Sequence, residues 1–349
     1  MTERFVKPPR RRAAARVSSA SLVSAQPLAG GAGFGLIVAP AMLPLDALEW
    51  ACGARSWVED QLLAAGALLF RGFDLADVLA FRAFANQLSG PLLDYTERAA
   101  SRQKVTSNVF TSTQFPAEEV IPLHHEMSYS HRWPDKLWLF YERASEGGGA
   151  TPIASERAVT RQLADDLRRR FSQRRIMYVR NYGEGVDMSW QEAFQTERRA
   201  DVEAYCQHAG MSCEWKPGDR LRTRTVRPPT VVHPRSHEEL WFNHVPLFHE
   251  SNLPAVVRGA LREQFLADEM PRNAFYGDGE PIADDVVASI RAVYDAHAVR
   301  FAWMRGDILL LDNILAVHGR DPFSGPRSIL VAMSELQVDA GAAGDPKAP

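Results

Sequence analysis

Cysteine is scarce in this 349-residue chain, where Cys52, Cys206 and Cys213 make up the whole complement. They form neither a C-x-x-C pair nor the even, dense pattern of a disulfide-stapled secreted domain, so a reducing cytoplasm is the expected compartment. Long apolar runs are missing as well. None reaches the roughly 18 to 20 residues of a membrane span, and the first thirty residues lack the apolar core of a secretory signal. Charge of one sign is also absent: 40 Lys plus Arg against 43 Asp plus Glu leave a net charge of -3. That balance gives no pull toward nucleic acid or anionic lipid and suits a small-molecule substrate better. Lysine is confined to positions 7, 104, 136, 216 and 347, which reads as genomic base composition.

Hydrophobic residues, at 46%, are enough for a sizeable core. Residues 1–30 carry Arg4, Lys7, Arg10, Arg11, Arg12 and Arg16 among Ala, Ser and Pro, and read as a disordered basic arm. Residues 31–338 read as one elaborated domain, and 339–349, rich in Ala, Gly and Pro, as a flexible tail.

Helices are expected over 45–64, 75–88, 158–171, 255–267 and 284–296, from apolar spacing. Strands are expected at 67–71, 137–141, 175–182, 231–233, 308–311 and 328–333, separated by Gly and Pro. The two kinds of element do not alternate as βαβ units would. The fold class expected is mainly β, an antiparallel core decorated with helices.

The strongest local signal is Leu123-His124-His125-Glu126-Met127. Two residues apart on an extended strand, His124 and Glu126 would project on the same face. A further histidine supplied by the fold would complete the two-histidine, one-carboxylate set that suits non-haem Fe(II) and leaves three positions open on one side. Taken alone, H-x-E is more often a satisfied polar pair. His318, at the end of an apolar run, and Arg327, in the next such run, add to it. An arginine there can grip a distal carboxylate with two parallel hydrogen bonds.

With these residues in view, the sequence resembles the taurine dioxygenase-like (TauD/TfdA) oxygenases, and within them the SyrP-like branch. The likeness runs from Gly66-Ala67-Leu68-Leu69-Phe70-Arg71-Gly72-Phe73 to Met333, through Val109–Thr113, Ile121–Ser130, Gly148–Pro152, Tyr178–Tyr182 and Trp241-Phe242-Asn243. It implies a double-stranded β-helix, or jelly roll, in which His124, Glu126 and His318 ligate iron. It further implies that Arg327 binds the far carboxylate of 2-oxoglutarate with help from the Thr151 hydroxyl. Arg320, in the same His-Gly-Arg turn, is a candidate contact to 2-oxoglutarate or to an anionic substrate, with pairing to Asp321 or another acid as the alternative. His125 departs from the asparagine common at that place and should point away from the metal. His237 and His244 are also departures, and His244 and Asn243 are candidates to line the substrate cavity.

The resemblance implies a dioxygenase using Fe(II), 2-oxoglutarate and O2, releasing succinate and CO2 and hydroxylating an unactivated C–H bond. Related halogenases replace the carboxylate ligand by a small residue, so Glu126 argues for hydroxylation. The substrate implied is an amino acid or amino-acid derivative of specialised metabolism, free or held on a carrier protein. The alternatives are a sulfonate dioxygenase, a zinc hydrolase using the same ligand types, and a non-catalytic jelly-roll binding protein.

Overall fold

The structure, a computed structural model, describes residues 18–113, 115–183 and 187–339. Its centre follows from the short apolar runs. Ala67–Phe70, Ile308–Asp312 and Arg132–Arg143 are antiparallel neighbours. Along each of them successive side chains enter two different cores. Leu68, Phe70, Trp138, Phe140, Ile308 and Leu310 pack on one face of the sheet, and Ala67, Leu69, Leu137, Leu139, Leu309 and Leu311 on the other. A strand buried on both sides reads as a continuous apolar run, because neither face needs polar residues.

These strands sit in an eight-stranded sheet whose order is Val23–Pro27, Leu36–Pro40, Ala67–Phe70, Ile308–Asp312, Arg132–Arg143, Ser328–Val338, Val109–Thr111 and Lys104–Thr106. Every pairing is antiparallel except that of Leu36–Pro40 with Ala67–Phe70. Two helices, Ala47–Ala65 and Val78–Ser89, cover its outer face. Each starts at an aspartate whose Oδ1 accepts two orphan backbone N–H groups at 2.9 Å: Asp46 from Leu48 and Glu49, Asp77 from Leu79 and Ala80. The inner face packs against a small sheet of Ile121–His124, Ala316–Arg320 and Ile153–Ser155, with Ile153, Leu315 and Ala316 entering the shared core. A further four-stranded sheet joins Ser212–Lys216, Arg220–Arg227, Ile176–Tyr182 and Arg272–Tyr276. The architecture is mainly β with decorating helices, on a jelly-roll core.

Two expectations need correction. Residues 1–30 are not uniformly an arm: Val23–Pro27 pairs along its whole length with Leu36–Pro40, and Val23 and Leu28 are buried. Two apolar anchors suffice to add a strand, although the average composition of the stretch is poor. The rest of that expected arm, residues 1–17, and the tail from 340 onward lie outside the described residues. The helix expected over 158–171 is two helices, Glu156–Gln162 and Asp165–Arg174. Leu163 and Ala164 between them take ψ of 133° and 138°, and Leu163 turns into the core.

Candidate metal centre

The small sheet brings the two histidines together by register. Ile121–His124 and Ala316–Arg320 run antiparallel with His124 directly opposite His318, and their ring centroids are 4.5 Å apart. Gly319 permits the approach, since a Cβ there would lie 2.7 Å from the Ile121 carbonyl oxygen. Glu126 arrives differently from expectation. The strand ends at His124, and Glu126 lies in the following turn, where Met127 takes a positive φ of 58°. Asn313 fixes this turn: Glu126 N–H donates to Asn313 Oδ1 at 2.8 Å, and Asn313 Nδ2 donates to the carbonyls of Glu126 (2.9 Å) and Pro134 (2.8 Å).

The result is a cluster in which one ligand atom from each of His124, Glu126 and His318 lies within 4.8 Å of the other two. Its electronic state suits a metal. Burial lowers the pKa of His124 and pushes that of His318 well down, with the facing His124 adding to the latter, so both rings are neutral, the form that ligates. The His124 Nδ1 proton is assigned by its hydrogen-bond partner, the Pro122 carbonyl at 2.8 Å, leaving Nε2 with a free lone pair. His318 Nε2 stands 3.9 Å from Glu126 Oε2. With a neutral imidazole this is a pair of convergent donors rather than an ion pair. His318 Nδ1 is buried without a partner among the described residues. Two neutral nitrogens and a carboxylate facing one point fit a divalent ion held from one side.

His125 points away. It is fully buried, with Nδ1 donating to the Asn313 carbonyl at 2.6 Å and Nε2 beside Glu156 Oε2 and the Trp241 carbonyl, both at 3.1 Å. His244 lines the larger cavity with Nδ1 3.0 Å from Ser128 Oγ, whereas Asn243 is buried against the Pro229 carbonyl and His237 is on the surface.

Beside the cluster a narrow pocket runs to Thr151 and Arg327. Thr151 Oγ1 accepts from Trp303 Nε1 at 3.0 Å and from Arg327 Nη2 at 3.5 Å. With two donors on its oxygen, its hydroxyl hydrogen is left to donate. Arg327 is half-buried, with its Nε enclosed, and has no acidic partner among the described residues. Burial, together with the neighbouring Arg320 charge, pushes its pKa down to about 10. A cation kept in this state lacks a counter-ion, and a carboxylate would supply it. Gly149, at φ +75°, makes room for it: a Cβ there would lie 3.0 Å from Arg327 Nε.

Arg320 lines the same pocket: its two Nη atoms donate to the carbonyls of Phe115 (3.0 Å), Pro116 and Glu119 (2.8 Å), while its Nε is buried without a partner among the described residues. It anchors the 115–119 loop across the site, and Asp321 pairs instead with Arg300 at 2.7 Å. Sequence reasoning missed Arg102 and Asn313. Arg102 Nη2 donates to Glu126 Oε2 at 2.8 Å in a pair whose side chains are each about 5% exposed. Burial works against the Arg102 charge, but Glu126 more than compensates and raises its pKa. On the other side of the cluster opens a cavity of about 570 Å³, with Tyr129, His244, Phe248 and Leu261 among its walls.

Comparison with known proteins agrees with this geometry. The family described as taurine catabolism dioxygenase TauD, TfdA matches residues 27–333. The dapdiamide synthesis protein DdaC of Enterobacter agglomerans is 41% identical over 276 residues, 79% of this chain and 84% of that protein. A clavaminate synthase-like protein of Arabidopsis thaliana is 29% identical over 290 residues, 80% and 84% of the two chains. Among solved structures, PvcB of Pseudomonas aeruginosa superposes with a TM-score of 0.52 at 17% identity, covering 88% of this chain and 89% of PvcB, a likeness of fold. The chain belongs to the TauD/TfdA family of iron(II)- and 2-oxoglutarate-dependent dioxygenases.

Proposed function

We propose that this dioxygenase hydroxylates an unactivated C–H bond of an amino acid or amino-acid derivative, free or held on a carrier protein, in the biosynthesis of a specialised metabolite. In this reading His124, Glu126 and His318 hold the iron, while Arg327 and Thr151 hold the far carboxylate of 2-oxoglutarate. The observation that carries the assignment is the pairing of two incomplete sites in one pocket. Three convergent ligand atoms lie at one end, and a half-buried guanidinium without an acidic partner among the described residues lies at the other. A molecule that chelates a metal and carries a distal carboxylate satisfies both.

Bound iron(II) supplies the activation of O2, coupled to decarboxylation of 2-oxoglutarate to succinate. The chain supplies the rest. His124 and His318 stay neutral and available, Asn313 holds the Glu126 turn, and Thr151 and Arg327 orient the co-substrate. The buried flanks of Glu126 and His318, 4% and 9% exposed, keep water from the reacting centre. The retained Glu126 favours hydroxylation over halogenation. A relative that serves dapdiamide synthesis favours a biosynthetic substrate over a sulfonate nutrient.

The test is anaerobic loading with Fe(II) and 2-oxoglutarate, followed by O2, with succinate and oxidised product followed for candidate amino acids. Succinate formed faster with one amino acid, together with that amino acid gaining one oxygen, supports the reading. Hydrolysis of a substrate without succinate would replace it with the zinc-hydrolase alternative.

A further inference from the structure

Arg102 has more hydrogen-bonding capacity than the protein uses. A guanidinium carries five N–H donors. Here Nη2 is committed to Glu126 Oε2 at 2.8 Å, with a long contact to Thr113 Oγ1 at 3.4 Å. Nε and Nη1 are buried and have no partner among the described residues. The Tyr95 ring lies 4.8 Å from Cζ, and such stacking covers a face of the guanidinium while leaving its N–H edge free. Buried donors without acceptors are unfavourable, so two on one cation point to a missing oxygen ligand.

The position of Arg102 indicates which ligand. It lines the narrow pocket in company with Thr151 and Arg327, and it stands where that pocket meets the larger cavity beside His124 and Glu126. The narrow pocket is thus lined by three arginines, Arg102, Arg320 and Arg327. Arg327 has no acidic partner among the described residues, and Arg102 shares Glu126 with whatever the cluster binds. Once Glu126 serves a divalent ion, part of its charge is withdrawn from Arg102, and a second anion is needed there.

We infer that Arg102 binds the 1-carboxylate of 2-oxoglutarate, the one next to the oxo group, through its unpartnered Nη1 while Nη2 holds Glu126. This rests on the co-substrate assignment proposed above. Arg102 is then both a binding residue and a positioning residue, coupling the metal carboxylate to the co-substrate. The primary substrate would meet Arg102 only from the larger cavity, whereas the shared pocket with Arg327 matches a dicarboxylate with an anion at each end.

The test is equilibrium binding to the full chain loaded with Mn(II), which holds the ligands without turnover. R102K keeps the charge and one donor for Glu126 but lacks the planar fork. The expected result is Mn(II) affinity within about threefold of the parent and 2-oxoglutarate affinity reduced about tenfold or more. Binding of 4-oxobutanoate, which keeps the carbonyl and the far carboxylate but lacks the 1-carboxylate, should change little. Unchanged 2-oxoglutarate affinity, or equal losses for both acids, would overturn the inference. R102Q, with one amide donor for Glu126, provides the same comparison if R102K does not fold. Should the parent itself bind no 2-oxoglutarate in the presence of Mn(II), the co-substrate assignment falls and the inference with it. If the parent binds it and only R327A weakens it, the assignment stands and Arg102 is removed.

Discussion

His124 and His318 are cross-strand partners in an antiparallel pair, 194 positions apart in sequence and 4.5 Å apart between ring centroids. The ladder, rather than the local H-x-E spacing, decides that a metal can be gripped. Replacing either ring by alanine should therefore lower Mn(II) affinity by roughly two orders of magnitude or more, with circular dichroism little changed and succinate formation lost. Full metal binding in both variants, measured by calorimetry, would remove the pair from that role.

Arg327→Ala should weaken 2-oxoglutarate binding by about 10- to 100-fold, since a charge-assisted pair contributes about 1.5–3 kcal/mol. Arg327→Lys should recover only part of the loss, because an ammonium cannot make the parallel double contact. Thr151→Val should produce a smaller loss of the same kind. Titration of the Mn(II)-loaded variants with 2-oxoglutarate measures all three, and equal affinities for parent and Arg327→Ala would refute the anchor.

Asn313→Ala removes three hydrogen bonds that hold the turn carrying Glu126. The expected cost is about 1–3 kcal/mol of stability for buried groups left unpaired, with metal affinity down by roughly 10- to 100-fold as the carboxylate loses its orientation. Urea midpoints and Mn(II) titration report the two effects separately. A stability loss without any change in metal affinity would make Asn313 a purely structural residue.

Asp135 gives a pH signature. Burial and then the neighbouring Asp312 raise its pKa from 3.8 to about 7, and its Oδ1 has no partner among the described residues. A carboxyl with a raised folded pKa binds more protons folded than unfolded, so its contribution is most favourable below 3.8 and is lost as pH rises to about 7. Asp135→Asn should therefore gain stability relative to the parent at pH 8 and not at pH 4, with about 4 kcal/mol as an upper bound. His131 works the other way. Burial lowers its pKa to about 3, so it favours unfolding as pH falls from about 6.5. Urea midpoints across pH 4 to 8 check both signs, and a pH-independent effect of Asp135→Asn would refute the first.

The doubly buried strands were legible in the sequence because Leu68 to Phe70 and Ile308 to Leu311 are apolar without interruption. Helix boundaries such as 284–296 followed from spacing alone. Strands such as Arg220–Arg227 were not legible, since alternating arginines and threonines resemble a solvated segment until Asp268, Asn181 and Asp339 are seen beside them. In the site, the structure brings His124, Glu126 and His318 together and places Thr151 and Arg327 along the same pocket. The position of Arg320 in the sequence did not reveal that its two Nη atoms hold the Phe115, Pro116 and Glu119 carbonyls. Arg102 left no local mark, being 22 positions upstream of His124 in a loop.

His318 lies in the small sheet and Arg327 just before Ser328–Val338 of the large one, and the segment between them is pinned where Phe323–Ser324 pairs with Gly147–Gly148. Nine positions of backbone thus set the reach between the metal-ligand cluster and the distant cation. Inserting or deleting one residue in that segment should shift Arg327 relative to the cluster and so change which length of dicarboxylate can span the two.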